Sequence, residues 1–444
     1  MDLKNKKITV IGMGRSGIAS ANFLAGKKSL VTLIDQKEQK YLEEAVAQVN
    51  PSVAMKFEAD SLPGDEQLIV LSPGIDIHSS FLESARGRGI PIWSEIELAS
   101  RFTTTPIIAV TGTNGKTTCT TLIGKILQKA GKKVLLGGNI GIPFISLVDQ
   151  KETDYLVLEI SSFQLEAIEK FHPKISVVLN ITPDHLDRHK TLATYIALKA
   201  RIHENQTGDD FCILNVDDAN TKTFGQNSPA KKFHFSAKEK VGQGTFVEEN
   251  HLMFIKGGIE SKICAISDLS QVMQWQVENV LAASLVCSLL DIPAECIAQS
   301  LKQFTGMEHR MEWVRTFRGI DFVNDSKGTN VGAVQKSLES LSRPIVLIAG
   351  GKDKDSDFLP LKQTLKQKVK HLILIGETRS KFRQALNGSF SYEDADSMEE
   401  AVRQAVGKAE PGDVVLLSPA CASFDMFKDY ADRGSQFKTI VHQL

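Results

Sequence analysis

The chain has 444 residues, and its 52 basic and 53 acidic residues give a formal net charge of −1 at pH 7. A chain of this length predicts two to four domains, because one hydrophobic core rarely grows so large. Hydrophobic residues make up 42% and charged residues 24%, as in soluble globular proteins. The balanced charge argues against nucleic acid as a partner.

The sequence predicts a cytoplasmic protein with no membrane partner. The opening residues run directly into a strand pattern with no signal-peptide core. No apolar run approaches the ~20 residues that span a bilayer. The cysteines are scattered without a CxxC pair, which favours reduced thiols over disulfides or zinc. They are Cys119, Cys212, Cys264, Cys287, Cys296 and Cys421.

Three times the sequence restarts with an apolar strand that feeds a Gly-rich turn, at residues 8–17, 106–118 and 343–355. Each restart is typical of an α/β domain with a mostly parallel sheet. We therefore predict domains at 1–95, 96–305 and 306–444. The first and third are expected to be Rossmann-like. The central one is expected to be P-loop ATPase-like, with a mostly parallel sheet and a small antiparallel sheet.

Three local predictions accompany this division. Residues 91–102 resemble a helix that crosses into the central domain. Short alternating segments between residues 231 and 266 predict antiparallel strands. Residues 274–290 have the periodicity of one continuous helix.

The segment VTGTNGKTT, residues 110–118, carries the strongest signal for chemistry. In a strand–loop–helix context its backbone N–H groups can cradle phosphates, with Lys116 on the β- and γ-phosphates and Thr117 on Mg²⁺. Val110 stands where the usual phosphate-loop pattern has glycine, so the segment departs from the common nucleotidase form. The alternative is a Gly-rich turn with an ordinary surface lysine.

The segment Gly12–Gly17 fits GxGxxG, and Asp35 follows the second predicted strand about 20 residues later. Taken alone, this pattern favours NAD. The same turn can also accept another diphosphate at its helix N-terminus, or can serve only as a tight turn.

Acidic and histidine residues follow two central strands. Glu159 could ligate Mg²⁺ or complement a helix N-terminus, and the two roles are compatible. His185 and His189 have the spacing of paired metal ligands, but zinc would need a third ligand and a recognisable motif. We favour one functional histidine, His185, because it is nearest to the strand end.

Other polar residues carry weaker signals. Lys199 lies on a predicted helix, where a lysine is normally a solvated charge. Asp325 and Lys327 follow a predicted strand and could contact nucleotide or form a polar turn. Residues 418–423 form a turn of small residues suited to an anion.

Seven motifs occur in one order along the chain: TGTNGKTT, LEISSFQLE, NITPDHLDRH, ALKAR, GMEHRME, NDSKGTN and LSPACASFDMFKDYADRGSQF. Together they resemble the Mur ligases of bacterial peptidoglycan synthesis, and the resemblance covers essentially the whole chain. The two C-terminal motifs and the N-terminal GMGRSG and SPG segments favour the member that adds D-glutamate.

The resemblance implies an ATP-dependent ligase that joins D-glutamate to UDP-N-acetylmuramoyl-L-alanine through an acyl phosphate, and so a role in cell wall biogenesis, cell shape and cell division. Its partners would be these small molecules and ATP, and its cofactors would include two Mg²⁺ ions. The protein would be a monomer. The alternatives are another Mur-type or folylpolyglutamate-type ligase, or a switch protein that binds NAD and ATP.

The resemblance also implies roles for individual residues. The uridine diphosphate part would bind Gly14, Arg15, Ser16, Asp35, Gln36, Ser72 and Gly74, with Asn139 near the substrate. ATP would bind Gly112, Thr113, Asn114, Gly115, Lys116, Thr117, Thr118, Asn279, Arg310 and Asp325. The metal ligands would be Thr117, Glu159, His185 and a carbamylated Lys199. D-Glutamate would bind Thr329, Lys354, Ser423 and Tyr430, with Lys352 as the alternative to Lys354. The catalytic residues would be Lys116, His185, Lys199 and Lys327.

Overall fold

A computed structural model describes residues 1–150, 152–222, 224–225, 228–353, 356–386 and 390–444, and only the backbone of Asp187. The described residues form three sheets, which bears out the predicted three-domain α/β class. In the described part of the chain, no helix combines the length and the apolar character that a membrane crossing requires.

The described residues form two compact units. One contains Met1–Ile181, His185–Cys264 and Glu278–Ser300. The other contains Thr182–Asp184, Ala265–Val277 and Leu301–Leu444. The first two sheets belong to the first unit and the third sheet to the second.

The N-terminal sheet has five parallel strands in the order β3-β2-β1-β4-β5. The strands are β1 (Lys7–Ile11), β2 (Leu30–Ile34), β3 (Ala54–Lys56), β4 (Leu68–Leu71) and β5 (Ile92–Ser94). The helices are α1 (Arg15–Gly26), α2 (Glu43–Val46), α3 (Glu83–Gly87) and α4 (Glu95–Ser100). The strand order reverses between β1 and β4, and ligands of such sheets bind at the carboxyl ends of the strands at this point.

The central sheet has nine strands in the order β14-β13-β12-β11-β10-β9-β6-β8-β7. The strands are β6 (Ile107–Thr111), β7 (Val134–Gly138), β8 (Tyr155–Glu159), β9 (Ile175–Val178), β10 (Phe211–Asn215), β11 (Lys231–Ser236), β12 (Gly244–Glu248), β13 (His251–Lys256) and β14 (Ile259–Ala265). The helices that follow in sequence are α5 (Lys116–Lys129), α6 (Ser162–Leu165), α7 (Leu186–His189), α8 (Leu192–Ala200), α9 (Gln271–Gln274), α10 (Val277–Leu289) and α11 (Ala294–Gln303). All five residues of β6 are buried, as expected for a strand covered on both faces.

The third sheet has six strands in the order β15-β16-β20-β17-β18-β19, with only its β15–β16 pair antiparallel. The strands are β15 (Glu312–Phe317), β16 (Ile320–Asn324), β17 (Ile345–Gly350), β18 (Val369–Ile375), β19 (Tyr392–Asp394) and β20 (Val414–Leu417). The helices are α12 (Val331–Ser340), α13 (Leu361–Lys368), α14 (Arg379–Leu386), α15 (Met398–Lys408) and α16 (Tyr430–Gln443).

The structure corrects three local predictions. Residues 91–102 are not one helix, because Ile92–Ser94 extends the first sheet before α4 begins. β11 pairs in parallel with both neighbours, so the antiparallel portion begins only at the β12–β13 pair and continues the large sheet. The predicted helix at 274–290 is interrupted between α9 and α10, at Trp275 and Gln276.

Helix α4 joins the first two sheets through two buried carboxylates. One oxygen of Glu97 accepts the backbone N–H groups of Glu169, Lys170 and Phe171 at 2.8, 2.9 and 2.8 Å. Glu95 accepts the N–H of Ile145 at 2.6 Å through one oxygen. Its second oxygen is buried and has no hydrogen-bond partner among the described residues.

Burial raises the pKa of Glu95 to about 7. A carboxyl group whose pKa is raised on folding contributes stability at any pH below its pKa in the unfolded chain. This contribution is lost as the pH rises through its pKa in the folded protein. We therefore expect Glu95→Gln to remove this pH dependence. Relative to the variant, the unfolding free energy of the wild type should fall by a few kcal/mol between about pH 5 and pH 8, at about 1.4 kcal/mol per unit of pKa shift. Urea unfolding at both pH values measures it, and parallel pH profiles for the two proteins would contradict this interpretation.

Candidate active site

The segment Gly112–Gly115 forms a tight loop between β6 and α5, and two glycines make this possible. Gly112 has φ +150° and Gly115 has φ +84°, a backbone region that glycine adopts without strain. A Cβ on Gly115 would lie 2.2 Å from Oδ1 of Asn279, so the α10 residue Asn279 packs directly on the loop. The structure thus brings Asn279 to the loop that the sequence predicts.

Polar side chains hold this loop in shape. Nζ of Lys116 donates to the carbonyls of Gly112 and Thr113 at 2.9 and 2.8 Å. The side chain of Asn180, which follows β9, accepts from the N–H of Asn114 at 2.9 Å and donates to the carbonyl of Asn114 at 3.1 Å. Sequence reasoning gave no role to Asn180, although it is the first residue of the motif NITPDHLDRH.

A cluster of oxygen-bearing side chains lies at the start of α5. The hydroxyl of Thr117 donates to Oε2 of Glu159 at 2.7 Å. Nδ2 of Asn139 donates to Oε1 of the same carboxylate at 2.8 Å. Because β6, β7 and β8 are parallel neighbours, their carboxyl ends bring these three side chains together. Thr118, the third residue of α5, is buried, and its hydroxyl has no hydrogen-bond partner among the described residues.

Lys199 is buried beside the same loop, with 1% of its surface exposed. Its Nζ donates to the carbonyl of Gly112 at 2.9 Å and lies 4.7 Å from the ring centre of Tyr195. The hydroxyl of Tyr195 lies 3.2 Å from that of Thr113. Lys199 is therefore not the solvated surface charge that helix position alone predicts.

The two histidines of the motif NITPDHLDRH have different surroundings. His185 has φ +54° and is exposed, with its ring edge-on to Phe163. His189 is buried, and its Nε2 lies 3.0 Å from the hydroxyl of Ser162. Among the described residues, no three His, Cys, Asp or Glu side chains gather as a metal site. The role of His185 stays a prediction.

The N-terminal Gly-rich turn is built around Ser72 and Asp35. The Ser72 hydroxyl donates to the carbonyl of Gly12 at 2.8 Å. The Asp35 carboxylate accepts the N–H groups of Met13 at 2.8 Å and Lys37 at 2.9 Å. Both side chains therefore shape the turn, whatever ligand it binds.

The remaining predicted residues of this turn lie around it. Gly14 is the N-cap of α1, and Arg15 and Ser16 begin that helix. Gln36 lines an open cavity of about 510 Å³ together with Lys37, Tyr41 and Glu58. Gly74 belongs to the turn that follows β4. This arrangement surrounds the point where the strand order of the sheet reverses.

In the second unit, Asp325 lies at the carboxyl end of β16 and is 6% exposed. Its Oδ2 accepts the hydroxyls of Ser337 and Ser418, each at 2.7 Å. Burial raises the pKa of Asp325, and the charge of Arg310 opposes that rise. Arg310 and Asp325 therefore interact electrostatically, and both are predicted ATP contacts.

Other predicted residues of the second unit lie near Asp325. Nζ of Lys327 is 5.1 Å from the ring centre of Tyr430. The N–H of Thr329 donates to the carbonyl of Lys327 at 2.9 Å. Ser423 is buried in the turn after β20, the strand beside β16. Lys354 lies outside the described residues.

Arg433 joins the turn after β16 to the turn after β20. The sequence does not indicate this role, because an arginine usually lies on the surface. It is fully buried. Its guanidinium donates to the carbonyl of Ser326 at 2.8 Å and to those of Cys421 and Ala422 at 3.2 Å each. Burial lowers the pKa of Arg433 to about 10.

We expect Arg433→Leu to destabilise the protein by about 3–5 kcal/mol, because the substitution leaves several buried carbonyls without a donor. The matched control is Arg315→Leu, since Arg315 also donates to two backbone carbonyls but is only partly buried. Its expected loss is below about 1 kcal/mol. Urea unfolding measures both variants. Equal losses of unfolding free energy would contradict the claim that burial makes the Arg433 hydrogen bonds more important for stability.

Comparison with known proteins assigns all three parts of the chain to one family. Residues 6–94 match the MurD-like N-terminal domain of Mur ligases, residues 110–287 the Mur ligase middle domain, and residues 309–421 the glutamate ligase domain. A UDP-N-acetylmuramoylalanine–D-glutamate ligase of Thermoanaerobacter sp. is 44% identical over 455 residues, covering 100% of both chains. One of Caldanaerobacter subterraneus is 45% identical over 453 residues, again covering 100% of both.

The chain belongs to the Mur ligase family. It is accordingly an enzyme of the class that uses ATP to join an acid to an amino acid through a carbon–nitrogen bond. The predicted identification with this family is confirmed.

Solved structures with a similar fold cover nearly the whole chain. A pseudomurein peptide ligase type C from Methanothermus fervidus has a TM-score of 0.62 at 18% identity, covering 99% of this chain and 100% of the other. A UDP-N-acetylmuramate–alanine ligase from Thermotoga maritima has a TM-score of 0.58 at 18% identity, covering 98% and 99%. At such identities the likeness concerns the fold.

Proposed function

We propose that this Mur ligase joins D-glutamate to UDP-N-acetylmuramoyl-L-alanine with hydrolysis of ATP to ADP and phosphate, in peptidoglycan precursor synthesis. The observation that carries the proposal is the cluster of Thr117, Glu159 and Asn139 at the Gly112–Gly115 loop. It combines a phosphate-binding loop with a carboxylate and an amide at one sheet edge. The full-length similarity to D-glutamate ligases supports the choice of substrate.

The Gly112–Thr118 segment would hold the triphosphate of ATP. The N-terminus of α5 attracts anions through its backbone N–H groups and helix dipole. In the structure Lys116 donates to two loop carbonyls, and we propose that the same ammonium group contacts the terminal phosphates of ATP. Asn279, which packs on Gly115, would lie along one side of the nucleotide.

The donor set fits Mg²⁺. The Thr117 hydroxyl and the Glu159 carboxylate are hard oxygen ligands, and Mg²⁺ is usually held by one or two carboxylates together with water and substrate phosphates. A second ion would need His185 and Lys199, and Lys199 could serve only as a carbamate. When bound, the ions would neutralise charge on the transferred phosphoryl group.

The N-terminal turn would hold the uridine diphosphate. Gly14, Arg15 and Ser16 open helix α1, where a diphosphate finds unpaired N–H groups. Asp35, Gln36 and the adjacent cavity would receive the uridine. Ser72 and Gly74 would border the diphosphate from the neighbouring strand. This assignment replaces NAD, the alternative that the GxGxxG spacing allows.

The second unit would supply the amino-acid site. We propose that Arg310 and Asp325 contact the nucleotide, and that Lys327 offers its cation to the reacting groups. Thr329, Ser423 and Tyr430 would bind D-glutamate, together with Lys354. The turn after β20 is rich in small residues, and its backbone N–H groups suit a carboxylate.

The chemistry would proceed in two steps. The substrate carboxylate attacks the γ-phosphorus of ATP, and the bond to the β–γ bridging oxygen breaks to release ADP. Lys116 offsets the negative charge that builds up during this transfer. The amine of D-glutamate then attacks the acyl carbon, phosphate leaves with the bonding electron pair, and a proton passes from the amine to His185 or to the departing phosphate.

A coupled ADP assay tests the proposal. We expect ADP release only when UDP-N-acetylmuramoyl-L-alanine and D-glutamate are both present, with L-glutamate inactive. Release that is indifferent to both would favour a switch protein that reads NAD and ATP. Activity with a folate acceptor instead would favour a folylpolyglutamate-type ligase. The cytoplasmic location, the monomeric state and the absence of nucleic-acid and membrane partners stay predictions.

A further inference from the structure

The turn Ser72–Ile75, which follows β4, is held at both of its ends. At one end the Ser72 hydroxyl donates to the carbonyl of Gly12 in the Gly-rich turn. Within the turn, the N–H of Ile75 donates to the carbonyl of Ser72 at 3.0 Å. At the other end, the carbonyls of Gly74 and Ile75 accept from Arg188, a residue of the central domain.

Arg188 makes several directed contacts from helix α7. Its Nη2 donates to the carbonyl of Ile75 at 3.0 Å and to Oε2 of Glu166 at 2.7 Å. Its Nη1 reaches the carbonyl of Gly74 at 3.5 Å, and its Nε lies 3.5 Å from Asp76. The guanidinium also lies over the ring of Phe163 at 5.4 Å. With 18% of the side chain exposed, this is a partly buried junction and not a surface ion pair.

The residue after Arg188 is linked to the ATP loop. The ring of His189 lies 5.3 Å from that of Tyr195, and the Tyr195 hydroxyl lies 3.2 Å from that of Thr113. Nε2 of His189 also lies 3.0 Å from the hydroxyl of Ser162, the first residue of α6, three residues after Glu159. Helix α7 therefore contacts the Ser72–Ile75 turn through Arg188 and the surroundings of the ATP loop through His189.

We propose that Arg188 is a positioning residue that fixes the Ser72–Ile75 turn relative to the ATP loop, and that it thereby sets affinity for the UDP-linked substrate. Peptide units are planar, so holding the carbonyls of Gly74 and Ile75 also fixes the N–H groups of Ile75 and Asp76. A planar guanidinium can serve both carbonyls and a carboxylate together, whereas a lysine offers a single ammonium group. The inference rests on the proposed function, in which this turn borders the substrate diphosphate.

The test is the steady-state kinetics of Arg188→Lys. We expect the KM for UDP-N-acetylmuramoyl-L-alanine to rise about ten-fold or more, as for loss of charge-assisted hydrogen bonds, while the KM values for ATP and D-glutamate stay within about two-fold. The matched control is Arg101→Lys. Arg101 lies just after helix α4, which joins the first two sheets, and it pairs with Glu97 and Glu169 away from the turn. An unchanged KM for the UDP-linked substrate in Arg188→Lys, or an equal rise in the control, would overturn the inference.

A second variant, Glu166→Gln, removes the ion pair of Arg188 but keeps its contacts with the two carbonyls. This test remains informative even if Arg188→Lys fails to fold. Its amide oxygen still accepts from Arg188, so we expect the KM for the UDP-linked substrate to change less than about three-fold. A ten-fold rise would mean that the ion pair is what matters, and the inference would fail. If wild-type ADP release ignores the UDP-linked substrate, the proposed function fails instead, which the same assay reveals before any variant is compared.

Discussion

Lys116→Ala is expected to lower kcat/KM for ligation at least about 10³-fold, because the lysine is the only side-chain cation that the loop segment 110–118 itself offers to the transferred phosphoryl group. A loss of this size corresponds to about 4 kcal/mol of transition-state stabilisation. The measurement is ADP release with saturating UDP-N-acetylmuramoyl-L-alanine and D-glutamate over a range of ATP concentrations.

A folding defect must be separated from this catalytic loss. In the structure Lys116 donates to two loop carbonyls, so its removal should also lower the unfolding free energy by about 1–2 kcal/mol. Lys132→Ala is the matched control, since Lys132 is exposed after α5, away from the loop. A Lys116→Ala variant that ligates as fast as this control would refute the assignment of the ATP site.

Lys199→Met is expected to abolish ligation to a similar degree while the protein still folds. Methionine is close in length and apolar, and the site is buried against Tyr195. A carbamylated lysine would carry a negative charge able to serve as a metal ligand, and methionine cannot form it. The measurement is ADP release together with thermal unfolding of the variant.

The dependence of activity on dissolved CO₂ tests whether the carbamate is the reason. Wild-type enzyme freed of CO₂ should lose activity and regain it with bicarbonate, and Lys199→Arg should respond to neither treatment. If wild-type activity ignores CO₂ while Lys199→Met is inactive, Lys199 acts as a plain cation toward the Gly112 carbonyl that it already contacts.

Much of the fold follows from sequence because several interior strands are buried along their whole length. The apolar runs of β6, β16 and β17 end in Gly-rich or polar turns, and each becomes an interior strand with at least one parallel neighbour. The loop before Lys116 follows equally directly, since its glycines adopt the backbone angles that the loop requires. Local pattern and tertiary structure agree at these places.

What sequence could not supply depends on long-range pairing. β11 has the alternation of a half-exposed strand, and alternation does not distinguish a parallel from an antiparallel neighbour. Asn180 and Arg433 have hydrogen-bond partners that lie as far as 66 and 107 residues away along the chain. Lys199 looks like a helix-surface charge until α8 is packed against the ATP loop. Such roles arise from tertiary packing, which no local spacing records.

The central claim is that the terminal phosphoryl group of ATP is transferred to the carboxylate of the UDP-linked substrate. Substrate labelled with ¹⁸O in that carboxylate tests it most directly, with the released phosphate analysed by mass spectrometry. The account predicts one ¹⁸O atom in each phosphate formed, because the oxygen that accepts the phosphoryl group leaves with it. Unlabelled phosphate, or label in AMP, would contradict the account.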